Sequence, residues 1–169
     1  CIIPILYKLY SRTVLSRIET TLEKAQCRDQ ARFRLDYTTE DHLMTINLVS
    51  VIALEKKRPL LAAAIDFAKA IDSVAHEDTW DTLRARDVDE CYVAARQGVY
   101  ADQSAKVRCE KGSRSFKTQR GTTRGDPISS ALFNAVIGQQ LRGPILKWEG
   151  KGIGINIGCG KKFLNLRFA

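Results

Sequence analysis

The order of apolar and polar segments predicts an α+β fold in which a small, mostly antiparallel sheet is flanked by helices. Two stretches near the start of the chain repeat apolar residues at helical spacing, and a short, continuous apolar run follows them. Beyond this run, helix-like segments alternate with pairs of short strand-like segments around glycine-containing turns. The 169 residues suffice for a single domain with a substantial core.

The first half of the chain is predicted to form two helices and one buried strand. The first helix covers residues 4–25, and its basic residues fit a helix that packs on a core or one that also follows a nucleic-acid backbone. Asp41 is expected to cap a second helix that continues to Ile52. The apolar run at residues 60–65 predicts a strand that is buried on both faces. The apolar positions of the first helix are Leu6, Leu9, Ile18 and Leu22.

The second half is predicted to alternate helices and hairpins. Asp72 and Ser73 are expected to cap a helix that runs to about Val88. Strands are predicted at residues 99–108 and 115–119, on either side of a turn. The remaining predicted elements are a loop at residues 121–127, a helix at residues 128–146 that opens with Pro127, and a final strand at residues 163–169.

The composition favours a polyanionic partner. The chain carries 27 Lys and Arg against 19 Asp and Glu, which gives a net charge of +8, although charge alone does not establish nucleic-acid binding. The five cysteines are widely spaced and lack a zinc-ligand pattern, so they are expected to be reduced thiols. No apolar run is long enough to span a membrane and no leader-like segment opens the chain, so we expect an intracellular protein without membrane contact.

Asp66 directly follows the predicted buried strand and is the first candidate for chemistry. A strand holds such a carboxylate rigidly at the edge of a sheet, and Mg²⁺ prefers oxygen ligands of this kind. A single aspartate nevertheless serves as a helix cap or in a surface ion pair more often than as a metal ligand. Asp72 is expected to be a cap, because it lies where the chain turns into a helix.

The loop at residues 119–127 contains two glycines and two arginines and leads directly into a helix. Glycines allow the backbone to come close to a ligand, and arginines and a helix N-terminus attract anions. A phosphate or nucleic-acid contact is therefore one interpretation of this loop, and an ordinary entry into a helix is the other. His42 and His76 each lie near a helix start and are expected to form structural hydrogen bonds.

Four ordered segments carry a more specific pattern. They are LYKL at 6–9 with LSRI at 15–18, DQARFR at 29–34 with TTEDH at 38–42, IDFAKAIDSV at 65–74 with His76 and Trp80, and GTTRGDPIS at 121–129 with LFN at 132–134. In this order they resemble the reverse transcriptase domain of non-LTR (LINE-type) retrotransposons. The resemblance covers nearly the whole chain.

The resemblance implies a right-hand polymerase fragment. Residues 1–59 would be fingers-like, and residues 60–169 would be palm-like, with room for an inserted part of the fingers. The implied activity is DNA synthesis from an RNA template, a DNA primer and deoxynucleoside triphosphates, with two Mg²⁺ or Mn²⁺ ions. For the parent element the resemblance implies a location in the cytoplasm and nucleus.

The resemblance also assigns roles to single residues. Asp66 is expected to be a catalytic metal ligand, with the Phe67 carbonyl as a second oxygen ligand. The family's other two catalytic carboxylates belong to a Phe-Ala-Asp-Asp hairpin, and this sequence ends at Phe168 and Ala169, so the 169 residues alone are not expected to polymerise. Nucleotide contacts are expected from Phe67, Ala70, Ile71, Arg124 and Gly125, and nucleic-acid or triphosphate contacts from Arg34, Gly121, Asp126 and Pro127.

Several positions depart from the family pattern. Ile71 stands where the family has a Phe or Tyr that excludes a 2′-hydroxyl, which should weaken sugar discrimination by about 1 to 3 kcal/mol. Arg124 replaces a glutamine that touches the nucleotide. We therefore hypothesise a decaying element, whose product is a polymerase fragment, a catalytically dead nucleic-acid-binding remnant or a fragment without a function of its own. Family glycines are also replaced, by Arg32, Asp36 and Asp87.

Overall fold

The computed structural model describes residues 3–27, 29–34, 37–101, 103–109, 112–123, 125–158 and 161–167. The chain divides into two compact units: the first unit is Cys1–Ala25 with Lys69–Val136, and the second unit is Gln26–Ala68 with Ile137–Ala169. No helix within the described ranges is long and apolar enough to cross a membrane. In chain order the elements are α1 (Ile5–Lys24), α2 (Thr39–Glu55), α3 (Ala70–Ser73), α4 (His76–Ala85), α5 (Glu90–Ala101), β1 (Ser104–Cys109), β2 (Gly112–Lys117), α6 (Ser129–Gly150), β3 (Ile155–Gly158) and β4 (Lys161–Phe163).

The core of the first unit is formed by one face each of α1, α4, α5 and the start of α6. The prediction of α1 is confirmed, but Leu6 and Leu9 of its predicted apolar face are exposed. The buried face begins at Ser11 instead, because positions 11, 14, 18 and 22 follow the helical repeat. The core residues are Val14, Ile18, Leu22, Trp80, Leu83, Val88, Val93, Tyr100, Ile128, Leu132 and Ala135.

The start of α4 differs from the prediction. Its N-cap is Ala75, which makes no side-chain hydrogen bond to the helix, so Asp72 and Ser73 do not cap α4. Both residues lie instead in the one-turn helix α3, which follows Lys69 in a left-handed conformation. The Ser73 hydroxyl donates a hydrogen bond of 2.9 Å to the Lys69 carbonyl. A hydroxyl that bonds the carbonyl four residues earlier is a common alternative to capping.

Helix α5 was not predicted from the sequence pattern. Residues 99–101 end this helix, so the strand predicted at 99–108 is correct only from Ser104 onward. The buried face of α5 is Val93, Arg96 and Tyr100, at helical spacing. Because a charged residue occupies the middle of this face, the apolar repeat that would have indicated a helix is interrupted.

The strands of the described residues pair as two separate antiparallel hairpins, β1 with β2 and β3 with β4. One common sheet flanked by helices is not formed within the described part of the chain. The strand predicted at 163–169 is wrong for residues 164–167, where Arg167 forms only an isolated parallel bridge with Gln30.

The apolar run at residues 60–65 is neither helix nor strand. Its side chains are exposed, Leu61 by 96%, so the prediction of a strand buried on both faces is wrong for this structure. An apolar run indicates a tendency to be buried, but it does not specify which strand would lie beside it. None of the described strands pairs with this run.

In the second unit, a capping box opens α2. Thr38 is the N-cap, and its hydroxyl accepts a hydrogen bond from the Asp41 N–H. The Asp41 carboxylate in turn accepts one of 2.9 Å from the Thr38 N–H. Asp41 is therefore the reciprocal partner of the cap rather than the cap itself. Elsewhere in this unit, Arg167 Nη2 lies 2.6 Å from Asp29 Oδ1.

Candidate nucleotide and nucleic-acid site

The loop between β2 and α6 is fixed against the residues that precede α4, all within the first unit. Gly121 donates a backbone hydrogen bond of 2.7 Å to the Val74 carbonyl. His76 Nε2 donates one of 2.9 Å to the Gly121 carbonyl, which requires the proton on Nε2. The structural hydrogen bond predicted for His76 is thereby confirmed.

Gly121 is needed because two backbone segments approach each other closely. Its φ is +83°, and a Cβ atom at this position would lie 2.9 Å from the Asp72 carbonyl oxygen. Any side chain would therefore force the segments apart. The group that comes close to this glycine is protein backbone, and its predicted contact with nucleic acid or triphosphate stays a prediction.

The carboxylate of Asp126 is the centre of a buried polar cluster. Arg96 Nη2 of α5 donates a hydrogen bond of 2.9 Å to Asp126 Oδ2, and both side chains are fully buried. From α1, the Tyr7 hydroxyl donates to Oδ2 at 2.8 Å, and the Ser11 hydroxyl donates to Oδ1. The N–H of Ile128, at the entry to α6, donates to Oδ1 at 3.3 Å. The side chains of Tyr7, Ser11, Arg96 and Asp126 are called the Asp126 cluster below.

The opposite charges of Arg96 and Asp126 stabilise each other in a buried position where either charge alone would be unstable. Burial by itself would lower the pKa of Arg96, but the hydrogen bond and charge of Asp126 outweigh burial and raise this pKa above its ordinary value. Burial raises the pKa of Tyr7 to about 12; the Arg96 charge opposes this rise, and the hydrogen bond to Asp126 adds to it. The cluster therefore contains an ionised pair and a neutral phenol at ordinary pH.

The cluster gives Asp126 a structural role. Its carboxylate is buried and bonded to Arg96, Tyr7 and Ser11. Its predicted contact with nucleic acid or a triphosphate stays a prediction. In the same loop Gly125 is exposed with φ +82°, and Pro127 is half-buried. Arg124 lies outside the described residues.

Asp66 and Phe67 lie in an exposed segment of the second unit. Asp66 forms no hydrogen bond or ion pair with any residue that the structure describes. No three His, Cys, Asp or Glu side chains in the described ranges are grouped so that they could hold a metal ion. Ala70 and Ile71 begin α3 in the first unit and are half-buried. The roles of these four residues toward metal and nucleotide stay predictions.

Arg34 is half-buried in the second unit, where it makes local contacts. Its Nη1 donates hydrogen bonds of 2.6 and 3.1 Å to the carbonyls of Cys27 and Gln30. Its guanidinium carbon lies 4.3 Å from the centre of the Tyr37 ring. These contacts orient Arg34, and its predicted contact with a triphosphate or nucleic acid stays a prediction.

The sequence pattern does not single out Tyr7, Ser11 or Arg96. They are separated from Asp126 by 119, 115 and 30 residues, so no local motif joins them. The available signal is Arg96 itself, which stands at a helical interval between apolar residues of α5. A charge at such a position needs a buried partner of opposite sign.

The loop fixed before a long helix and the net charge of +8 are typical of domains that bind nucleotides or nucleic acids. Within this class, the model of the family described as "Reverse transcriptase (RNA-dependent DNA polymerase)" matches residues 1–159. The chain belongs to this family, and the resemblance noted in its sequence is confirmed.

Known relatives are polyproteins of retrotransposable elements. The chain is 28% identical, over 80% of its length, to the "Retrovirus-related Pol polyprotein from type-1 retrotransposable element R2" of Popillia japonica, of which it covers 19%. It is 32% identical, over 60% of its length, to the corresponding polyprotein from type-2 element R2DM of Drosophila melanogaster, of which it covers 10%. A type-1 R2 polyprotein of Nasonia vitripennis is 33% identical over 52% of the chain and is covered to 9%. The chain thus spans a fifth or less of these relatives.

Proposed function

We propose that the chain is part of a retroelement enzyme that synthesises DNA on an RNA template. In this reaction the 3′-hydroxyl of a DNA primer attacks the α-phosphate of a deoxynucleoside triphosphate, and pyrophosphate leaves. Membership of the reverse transcriptase family supports the activity. The observation that carries the choice of catalytic residue is the contrast between the exposed Asp66 and the buried Asp126.

This contrast separates two aspartates to which the resemblance gives different roles, Asp66 as a metal ligand and Asp126 as a contact to nucleic acid or triphosphate. Asp126 is neutralised by Arg96 and accepts further hydrogen bonds, so it has little capacity left for a cation. Asp66 is exposed and forms no internal ion pair in the described part of the chain. A carboxylate that is not neutralised by a cationic side chain is the better candidate for a metal ligand.

Asp66 fits one position of a magnesium site. Its oxygens are the hard ligands that Mg²⁺ or Mn²⁺ prefers, and the Phe67 carbonyl could supply a second oxygen. Two divalent ions about 3.5 to 4 Å apart need several carboxylates, whereas the described residues contain no group of three candidate ligands. We therefore assign Asp66 as one ligand of a metal ion whose other carboxylate ligands are not among the described residues. Such ions, when bound, activate the primer hydroxyl and stabilise the leaving pyrophosphate.

The nucleotide is assigned to Ala70 and Ile71 at the start of α3, with Phe67 before them, and to Arg124 and Gly125 in the loop before α6. Support comes from the exposure of Gly125 and from the buried cluster that fixes its neighbour Asp126. The backbone of Gly121 and Pro127 shapes the same loop, and Arg34 is assigned to the nucleic acid or triphosphate. In the right-hand arrangement with a palm sheet, residues 1–59 would be fingers-like and residues 60–169 palm-like; the parent would act in the cytoplasm and nucleus.

Primer extension tests the proposal. A polypeptide that joins these residues to the sequence that follows them in its gene should extend a DNA primer on an RNA template when Mg²⁺ is present. Asp66→Asn should abolish the product. The matched control is Asp81→Asn, since Asp81 is also an exposed aspartate and contacts only Arg84 at 3.6 Å among the contacts described. Equal activity of Asp66→Asn and Asp81→Asn would refute the assignment of Asp66.

A catalytically dead nucleic-acid-binding remnant is the second candidate. It is favoured by Ile71, where the family has an aromatic residue, and by Arg124, where the family has glutamine. If this candidate is correct, the same polypeptide binds an RNA–DNA hybrid in a salt-dependent manner but makes no product. Product that is restored by Ile71→Phe with Arg124→Gln would support a decayed enzyme, and robust synthesis without these changes would refute decay.

A further inference from the structure

On the β1–β2 hairpin, the side chains that the structure describes are exposed on both faces. The register places Val107 opposite Arg114 and Ala105 opposite Phe116. Because residues opposite each other in an antiparallel pair share a face, Val107, Arg114 and Phe116 lie on the same side. Val107 is 50% exposed and Phe116 51% exposed, and Arg114 is exposed beside them. These three residues are called the Phe116 face.

An exposed aromatic face on a two-stranded hairpin requires an explanation. A hairpin of two strands gains little stability of its own, and half-exposed Phe and Val side chains add none without a partner. The opposite face offers no alternative apolar surface, because Ser113, Ser115 and Lys117 lie there and are exposed.

The charge of the hairpin identifies the chemistry of that partner. All four charged residues of the two strands are Lys or Arg, and neither strand contains Asp or Glu. By the register, Arg114 lies on the Phe116 face, and Lys106, Arg108 and Lys117 belong to the opposite face. An acidic polymer therefore fits this hairpin better than an ordinary protein surface of mixed charge. An aromatic ring beside an arginine is the arrangement by which proteins bind single strands: the ring stacks on a base and the cation contacts a phosphate.

The hairpin is also joined to the loop that precedes α6. Gln103 lies at the base of β1, and its side-chain amide donates a hydrogen bond of 3.2 Å to the Thr123 hydroxyl. The Gln103 carbonyl accepts one of 3.1 Å from the N–H of Thr118 at the end of β2. The hairpin and the loop that contains the exposed Gly125 are therefore connected within the first unit.

We propose that the Phe116 face binds a single-stranded nucleic acid, with the Phe116 ring stacked on a base and the Arg114 guanidinium against a phosphate. Binding by this face does not depend on catalysis. One part of the proposal rests on the proposed function, namely that the bound strand is the unpaired RNA template.

Binding of a labelled 12-mer of oligouridine to the 169-residue chain, compared with a 12-mer of equal charge that lacks bases, tests this proposal. Phe116→Leu should weaken binding of oligouridine at least about fivefold and leave binding of the abasic strand unchanged, because one stacked base is lost. Arg114→Gln should weaken both and lower the slope of log affinity against log salt by about 0.7. The ratio of the two affinities within one variant is independent of the folded fraction.

Matched controls are available outside the hairpin. Tyr10→Leu changes an aromatic residue that is 37% exposed, and Arg142→Gln changes an exposed arginine. Both should bind like wild type. The proposal is overturned if Phe116→Leu leaves the affinity ratio unchanged or if Tyr10→Leu lowers it equally. The binding assay contains neither Mg²⁺ nor nucleotide, so a failure of the Phe116 face and a failure of the proposed polymerase can be told apart.

Discussion

Arg96 and Asp126 form an ion pair in which Nη2 and Oδ2 are 2.9 Å apart and both side chains are fully buried. The pair joins α5 to the loop before α6, and Tyr7 and Ser11 bring α1 to the same carboxylate. Three helices of the first unit therefore depend on one aspartate. Breaking such a pair leaves a buried charge without compensation, which is far more costly than losing an exposed pair.

Asp126→Asn should lower the free energy of unfolding by about 3 to 5 kcal/mol, because the Arg96 charge is left buried without its counter-ion. Urea denaturation measures this loss. The control is Glu90→Gln, which breaks the exposed pair of Glu90 with Arg84 at 2.8 Å and should cost far less, because water screens the pair. Similar losses in both variants would show that the buried cluster does not stabilise the first unit.

The raised pKa of Tyr7 predicts a loss of stability at alkaline pH. Tyr7 titrates at about 12 in the folded protein, against an ordinary value of 10.0. The folded state thus favours the neutral phenol, so its contribution is complete below about pH 10 and is lost as the pH rises toward 12. Over this interval the free energy of unfolding should fall more steeply for wild type than for Tyr7→Phe. Parallel pH profiles would contradict the prediction.

Gly121→Ala should destabilise the protein by about 1 to 3 kcal/mol, because an alanine there has a positive φ and meets the Asp72 carbonyl. Thermal unfolding at one scan rate is sufficient to compare variants. Gly98→Ala is the control, since a Cβ atom on Gly98 would meet nothing within 4 Å. Within helix α5 this change should stabilise by up to about 1 kcal/mol. If Gly121→Ala is as stable as Gly98→Ala, the close approach is not required.

Asp87→Gly should stabilise the protein by about 0.5 to 1 kcal/mol. Asp87 has a φ of 58° just beyond α4, in the left-handed region where glycine is less strained. Arg32 also replaces a family glycine, but it does not have a positive φ; its neighbour Phe33 does, with φ 58°. Arg32→Gly should therefore give no gain in urea denaturation. A gain from Arg32→Gly but not from Asp87→Gly would contradict the link between lost glycines and strain.

How far the sequence predicts this structure depends on the range of the interactions concerned. Helices α1 and α2 are found from local apolar spacing and capping residues, and the hairpin of β1 and β2 is found from the glycine at position 112. Helix α5 and the Asp126 cluster are missed because the Arg96 side chain is explained only by a partner 30 residues away. The wrong strand at residues 60–65 has the same origin, since pairing requires a neighbour that the run itself does not encode.

The central claim is that the exposed Asp66 acts in catalysis, whereas the buried Asp126 stabilises the fold. One measurement tests this claim most directly. The test uses a single Asp66→Asn preparation of the polypeptide described above for primer extension. Urea denaturation gives its folded fraction, and the rate of first nucleotide addition is then expressed per folded molecule. We expect unfolding to change by less than about 0.5 kcal/mol and the rate to fall at least about a hundredfold, since a metal ligand is lost. An undiminished rate per folded molecule would contradict the account, even if the total product falls in proportion to lost folded protein.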